Sequence, residues 1–222
     1  AMDIEGLGGE TVALLVEEGL IKNYADLYTL EVGDLLPLER MAQKSAENLV
    51  QGVAASKNIP FERVLFALGI RYVGETVAKK LARHFKSIEA IAKAQLEDLI
   101  AVDEIGDKIA ESVVAFFQDE HNRLLIERLA HYGIQLQLSA EKLANQGDAL
   151  VGMSFVVSGV FEISRNDLKK LIEDNGGKVS SAISSKTSYV VAGDKMGPSK
   201  LAKAKALEVP ILNEAQFMEL LG

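Results

Sequence analysis

Four segments of this 222-residue chain end a turn in a small residue and continue with helical apolar spacing. They are Ile4-Glu5-Gly6-Leu7-Gly8-Gly9-Glu10-Thr11, Leu38-Glu39-Arg40-Met41-Ala42-Gln43-Lys44-Ser45, Ile70-Arg71-Tyr72-Val73-Gly74-Glu75-Thr76-Val77 and Val102-Asp103-Glu104-Ile105-Gly106-Asp107-Lys108-Ile109. The closing residues Gly8, Ala42, Gly74 and Gly106 are separated by 34, 32 and 32 positions, so one supersecondary unit occurs four times. The chemistry such a unit can do is anion binding. A small residue lets backbone approach a partner, and the helix behind it turns unpaired N–H groups and its positive dipole end outward. That is a main-chain site suited to a phosphate.

Gly6, Gly8, Gly9, Gly74 and Gly106 are the main-chain candidates. Arg40, Lys44, Arg71 and Lys108, at the tips or in the first helical turns, are cations that can reach the same phosphate. Thr11, Ser45 and Thr76 place a hydroxyl nearby, where it either donates to phosphate or bonds within its own first turn. A competing reading makes the glycines mere left-handed turn residues and the cations solvated surface. Repetition at one period favours the phosphate. Two units depart from the pattern: Arg40 and Ala42 replace glycines in the second, and Glu104 fills the first glycine place in the fourth. Its carboxylate opposes a phosphate there.

The elements that position these turns follow from periodicity. Val12, Leu15 and Val16, then Ala46, Leu49 and Val50, then Ala78, Leu81 and Ala82, then Ile109 and Val113 mark a helix behind each turn. Further amphipathic segments run from Tyr24 to Leu30, Pro60 to Leu68 and Ser87 to Ala94, with Pro60 at a helix start and Ser87 as an N-cap. Residues 1–138 are expected to be helical, their hairpins packed two and two as 1–64 and 65–138. Periodicity fades after Leu136, and 139–148 reads as a linker. From 149 to 222 the pattern is βαββαβα: Phe155-Val156-Val157, a helix capped at Ser164, Lys178-Val179-Ser180, Ser188 to Ala192, a helix from Pro198, Pro210-Ile211-Leu212, and a last helix capped by Asn213. The fold class is therefore multidomain, an all-α domain followed by a small α/β domain with a four-stranded parallel sheet.

Composition sets limits. The chain holds 48% hydrophobic residues and no cysteine, which excludes a disulfide frame and thiolate metal sites. His84, His121 and His131 lack metal-ligand spacing and read as surface or helix-end residues. No apolar run approaches the roughly 18 residues of a membrane span, and no secretory signal opens the chain; a cytoplasmic protein is expected. The formal net charge is -8, and it lies in residues 1–140, where 14 basic face 22 acidic residues. A groove-filling basic nucleic-acid binder has the reverse balance. Contact with nucleic acid must then be local and made by amides plus a few placed cations.

The four units resemble helix-hairpin-helix motifs, and the last 75 or so residues resemble a BRCT domain. In this order the two resemble the C-terminal half of bacterial NAD-dependent DNA ligases. The match rests on Ala1-Met2-Asp3-Ile4-Glu5-Gly6-Leu7-Gly8, Leu38-Glu39-Arg40-Met41 with Lys44-Ser45-Ala46-Glu47-Asn48-Leu49, and Ala67-Leu68-Gly69-Ile70-Arg71-Tyr72-Val73-Gly74-Glu75. Lys186-Thr187-Ser188-Tyr189-Val190-Val191-Ala192-Gly193 and Ser199-Lys200-Leu201-Ala202-Lys203-Ala204 extend it to the tail. The resemblance implies a monomeric region that grips nicked double-stranded DNA through minor groove and phosphates. It also implies adenylation, OB and zinc-finger domains upstream of Ala1, which falls inside a matching motif. NAD, Mg and Zn would serve that longer enzyme and none would bind this segment. The adenylating lysine in its K-x-D-G setting and the four-cysteine module are absent here, so the segment is expected to hold DNA without sealing it.

The same resemblance implies a second anion site in the tail. In phosphate-binding BRCT domains a Ser/Thr-Gly pair and a lysine grip one anion, which places Ser158, Gly159 and Lys200 together, with Arg165 as an additional cation. The alternative is a strand-to-helix corner at Ser158-Gly159 and a solvated Lys200; Lys203 and Lys205 read as a solvated face. Two other functions compete with the ligase reading. One is a stand-alone repair adaptor whose BRCT domain recruits a phosphorylated protein. The other, a helix-hairpin-helix glycosylase, needs a catalytic Asp or Lys in a base pocket, and no such arrangement is found.

Overall fold

A computed structural model describes residues 1–39 and 41–221, with the Asn145 side chain left aside. The chain forms two compact units, Ala1–Ser139 and Ala140–Gly222. The first contains α1 (Gly9–Glu17), a 3-10 turn (Tyr24–Thr29), α2 (Val32–Leu35), α3 (Gln43–Ser56), α4 (Phe61–Ala67), α5 (Glu75–Phe85), α6 (Ile88–Lys93), α7 (Leu96–Ile100), α8 (Asp107–Gln118) and α9 (Glu120–His131). The second contains α10 (Ala140–Asn145), β1 (Ser154–Ser158), α11 (Arg165–Asp174), β2 (Lys178–Ser180), β3 (Tyr189–Ala192), α12 (Pro198–Ala206), β4 (Ile211–Leu212) and α13 (Glu214–Leu221).

Two apolar cores build the helical unit. Leu15, Leu27, Leu35, Leu38, Ala46, Leu49 and Val53 form one, under the first two turns. Residues from α4 to α9, among them Phe61, Leu65, Leu81, Leu99 and Val113, form the other under the third and fourth turns. Helices of four to seven residues such as α2 and α4 are too short to persist alone, so this packing is what sustains them. On α1 the buried face differs from the expected one. Leu15 is fully buried, whereas Val12 and Val16 are 37% and 53% exposed, because in a nine-residue helix the packing partner, not the spacing, sets the stripe.

Polar contacts join the two halves. Tyr24 and Tyr28 pack against both cores, and the Tyr28 ring stacks on Tyr132 with centroids 6.0 Å apart. Arg128 Nη2 donates to Asp26 Oδ1 at 2.7 Å, while the other carboxylate oxygen of Asp26 accepts from the Lys22 and Asn23 amides at 2.7 and 3.0 Å. At the end of the unit Leu136 O accepts from Ile88 N and Leu138 N donates to Lys86 O, both at 2.8 Å. These main-chain bonds tie residues 136–138 to the start of α6. The segment 139–148, expected to be a linker, contains α10, whose Ala-Glu-Lys-Leu-Ala run is rich in good helix formers.

In the second unit the strands lie in the order β2-β1-β3-β4, all parallel. Phe155 and Val157 join Leu168, Ile172 and Phe217 from α11 and α13 on one face. Val156 and Val190 join Ala204 of α12 and Ile183 on the other. Covered faces explain why β1 reads as an unbroken apolar run. Ser164 accepts from Asp167 N at 3.1 Å, and Asn213 and Gln216 cap α13 reciprocally at 2.8 and 2.9 Å.

Burial pulls the Asp26 carboxyl upward, but the hydrogen bonds from Lys22 N, Arg128 and Asn23 N outweigh it and hold the group below its ordinary value. A lowered folded value stabilises the protein above the unfolded carboxylate range, and that stabilisation disappears as pH falls through the folded value. Asp26→Asn is therefore expected to cost about 1 kcal/mol at neutral pH. Denaturant melts of parent and variant are expected to converge in acid; a gap that persists or widens there would refute the role of the carboxylate.

Candidate nucleic-acid interface

The four turns share one hydrogen-bond pattern. Leu7 N donates to Ile4 O and Met41 N to Leu38 O at 3.2 Å, Val73 N to Ile70 O at 3.0 Å, and Ile105 N to Val102 O at 3.1 Å. The third residue of each described turn is left-handed: Gly6 at φ +80°, Tyr72 at +66° and Glu104 at +65°. Arg40 holds this place in the second turn and lies outside the described residues. A left-handed third residue beneath such a bond is the type II pattern, for which Gly6 is the unstrained choice.

Two residues later the chain is extended and caps a helix. The φ values are −85° at Gly8, −78° at Ala42, −82° at Gly74 and −92° at Gly106. The left-handed explanation of Gly8, Gly74 and Gly106 therefore fails, since any residue adopts these angles. A Cβ at any of the three would meet nothing within 4 Å. None of the four caps places a side chain on the helix amides, in contrast to Asn23, Ser87 and Asp119, which each accept from an amide at 3.0 to 3.2 Å. No side chain caps the first-turn N–H groups of α1, α3, α5 and α8, and in α8 only the Ile109 amide turns inward, to Gly106 O at 3.0 Å; uncapped amides of this kind are the condition for an anion site.

Lys44, Arg71, Gly74, Thr76, Gly106 and Lys108 are exposed, as are Gly6, Gly8 and Gly9. The Arg71 guanidinium lies over the Tyr72 ring at 4.9 Å from its centroid, and Tyr72 is 53% exposed. Among the described residues no partner engages the hydroxyls of Thr11, Ser45 or Thr76, so the local bonding considered for them does not form. Acids sit in three of the first turns, Glu10, Glu75 and Asp107, and α3 has none. Glu75 is tied to Lys79 at 3.0 Å. The helix behind the second turn thus lacks a glycine cap yet opens without an acid.

Two residues that the sequence reading passed over belong to this surface. Tyr72 stands in register with Gly6 and Glu104, so alignment of the repeats could have found it. Lys80 of α5 ion-pairs with Asp103 Oδ2 at 2.8 Å and Glu104 Oε2 at 2.9 Å. No sequence signal links Lys80 to residues 23 and 24 positions away.

In the second unit Ser158 is buried at the end of β1, and Gly159 has φ +118°. A Cβ at Gly159 would stand 2.6 Å from Gly193 O, and one at Gly193 would clash with Val160 O. The two glycines let the segments cross, closed by Val160 N to Asp194 O at 2.7 Å and Asp194 N to Val160 O at 2.8 Å. Arg165 Nη2 donates to Gly159 O at 2.6 Å, which brings Arg165 to the Ser158-Gly159 corner. Lys200 is half-buried in the first turn of α12, with no polar side-chain contact to that corner among the described residues. The strand-corner reading accounts for Gly159 without an anion.

No helix among the described residues is long and apolar enough to cross a membrane, and no cluster of three or more His, Asp or Glu there could hold a metal ion.

Residues 63–126 match the helix-hairpin-helix motif family, and residues 145–221 match the BRCA1 C Terminus (BRCT) domain family. The chain is thus a helix-hairpin-helix region followed by a BRCT domain. The motif match covers the third and fourth turns; the first two share their hydrogen-bond pattern. All 222 residues align at 69% identity with the DNA ligase of Christiangramia forsetii and at 68% with that of Flavobacterium psychrophilum. The DNA ligase of Koribacter versatilis is 46% identical over the same span. The chain corresponds to the C-terminal helix-hairpin-helix and BRCT region of these bacterial ligases. It spans about a third of the length of the curated relatives it matches, 33%, 33% and 32%, a smaller share than the half expected from the resemblance.

Two glycines of similar sequence context are expected to respond oppositely to substitution. Gly159→Ala introduces a Cβ against backbone at positive φ and is expected to cost more than about 2 kcal/mol. Gly74→Val meets open space and is expected to cost no more than about 1 kcal/mol, the weaker N-cap preference of valine. Thermal melts followed by circular dichroism decide it; equal losses would contradict the backbone geometry.

Proposed function

We propose that this chain is the DNA-binding C-terminal region of a bacterial NAD-dependent DNA ligase, acting in the cytoplasm as a monomer on nicked duplex DNA. The observation that carries this reading is the fourfold turn with uncapped helix amides, on a chain whose full length aligns with DNA ligases. The amides at Gly8, Gly9, Ala42, Gly74 and Gly106 receive backbone phosphates. Gly6 shapes its turn, while Arg40, Lys44, Arg71, Thr76 and Lys108 add charge and hydrogen bonds beside them. Phosphate contact fixes register and carries no sequence information, as a nick-sealing enzyme requires. In the BRCT domain the Ser158 hydroxyl, Arg165 and Lys200 remain candidates for a further phosphate.

In this reading adenylation, OB and zinc-finger domains of the longer protein bind NAD, Mg and Zn and perform phosphodiester bond formation. NAD supplies the adenylyl group there, while the residues of this region bind and orient the duplex.

Binding of 5′-phosphorylated nicked duplex to the 222-residue chain is expected to be indifferent to base sequence and to weaken with salt. The slope of log affinity against log salt should reflect on the order of three to five phosphate contacts. Damage to affinity is expected in the order Gly74→Val, Arg71→Ala, Ala42→Val. A slope near zero, a marked base preference, or full affinity in folded Gly74→Val would remove the hairpin amides as the phosphate site. Incubation of the same chain with labelled NAD is expected to leave no covalent adenylyl adduct, and an adduct would overturn the division of labour.

A further inference from the structure

The fourth turn poses an electrostatic problem that the other described turns do not. Asp103 and Glu104 stand within it, and Asp107 opens the helix behind it. Two carboxylates at the tip would repel a phosphate approaching the open amides of α8. Lys80, on the helix behind the third turn, resolves this with one ammonium group. Its Nζ donates to Asp103 Oδ2 at 2.8 Å and Asp103 O at 3.3 Å, and lies 2.9 Å from Glu104 Oε2. Three acceptors match the three N–H donors of a lysine. The Lys80 side chain is 22% exposed, against 85% for Asp103 and 39% for Glu104, so the contact is anchored on α5 and reaches out to the turn. Burial pulls the Lys80 ammonium down, and its hydrogen bonds to Asp103 and Glu104 more than offset that, leaving it raised and charged.

We propose that Lys80 is a positioning residue: it draws the Asp103 and Glu104 carboxylates onto α5, fixes the left-handed Glu104, and so keeps the amides of α8 open to a DNA phosphate. This inference rests on the DNA-binding reading above. It couples the third and fourth turns, since a helix from one turn sets the field of the next. Lys80 acts through the acids it holds and does not itself meet the phosphate.

The test is a charge cycle on the 222-residue chain, read as affinity for 5′-phosphorylated nicked duplex at low salt. Lys80→Met is expected to weaken binding about tenfold, with the gap narrowing as salt rises. Asp103→Asn with Glu104→Gln is expected to change the parent by no more than about threefold, because its acids are already engaged. Added to Lys80→Met, the same pair is expected to restore affinity to within about threefold of the parent. Lys80→Arg is expected to retain binding. A lysine that touched phosphate directly would give additive effects and no rescue, and a merely structural lysine would lower the melting temperature without the salt-dependent gap; either result overturns the proposal. Loss of folding in both Lys80→Met and Lys80→Gln would do the same. A parent that binds no nicked duplex sinks the DNA-binding reading, whereas a parent that binds with Lys80→Met its equal sinks this inference alone.

Discussion

A hydrogen bond from the fourth residue of a turn back to the first, with a left-handed residue between, organises the helical unit. The bond occurs at Ile4, Leu38, Ile70 and Val102, the left-handed residue is described in the first, third and fourth of these turns, and the chain leaves all four turns extended at the residue just before a helix. The extended residue has no capping side chain at any of the four places. Open amides are therefore a consequence of turn geometry and not of glycine as such, which is why Ala42 fits beside Gly8, Gly74 and Gly106. The left-handed place is the demanding one. Gly6 fills it without strain, while Tyr72 and Glu104 hold it at a cost of roughly 1 to 2 kcal/mol each, offset by the packing of Val73 and Ile105 beneath the turn.

An acidic chain can present a phosphate site only if its charges are arranged locally. Glu75 is tied to Lys79, and Asp103 and Glu104 to Lys80. Arg128 engages Asp26 at the junction of the two cores, away from the turns in sequence and bound up in stability. Beside the exposed amides at the tips stand the exposed cations Lys44, Arg71 and Lys108, together with Glu10 and Asp107 in the first turns of α1 and α8. Net charge is thus a poor guide to this surface, because a Debye length of about 8 Å at physiological salt confines each contribution to its neighbourhood.

The BRCT domain follows a different economy. Its four parallel strands are covered on both faces, and β1 distributes Phe155 and Val157 to one core and Val156 to the other. Close crossing at Gly159 and Gly193 brings Val160 and Asp194 into hydrogen-bonding register. Arg165 satisfies the Gly159 carbonyl that this crossing exposes. The residues expected at a phosphate site therefore have structural work at the same corner, and only Ser158 and Lys200 are left without such an assignment.

The class and order of the elements were legible from residue types. Period and apolar spacing marked the repeated helices, and caps at Ser87, Ser164 and Asn213 lay where side-chain oxygens can reach amides a turn ahead. The apolar runs of β1 and β3 marked a sheet covered on both faces. Those signals are local, and local chemistry is written in consecutive residues. The face that α1 buries, the return of residues 136–138 to Lys86–Ile88, the crossing at Gly159, and the grip of Lys80 on Asp103 and Glu104 were not legible. Each joins groups that are distant along the chain or chooses between faces that spacing leaves equivalent. Such choices are settled only when a packed neighbour removes water from one face, or when burial leaves a charged or polar group to be matched by whatever the fold brings beside it.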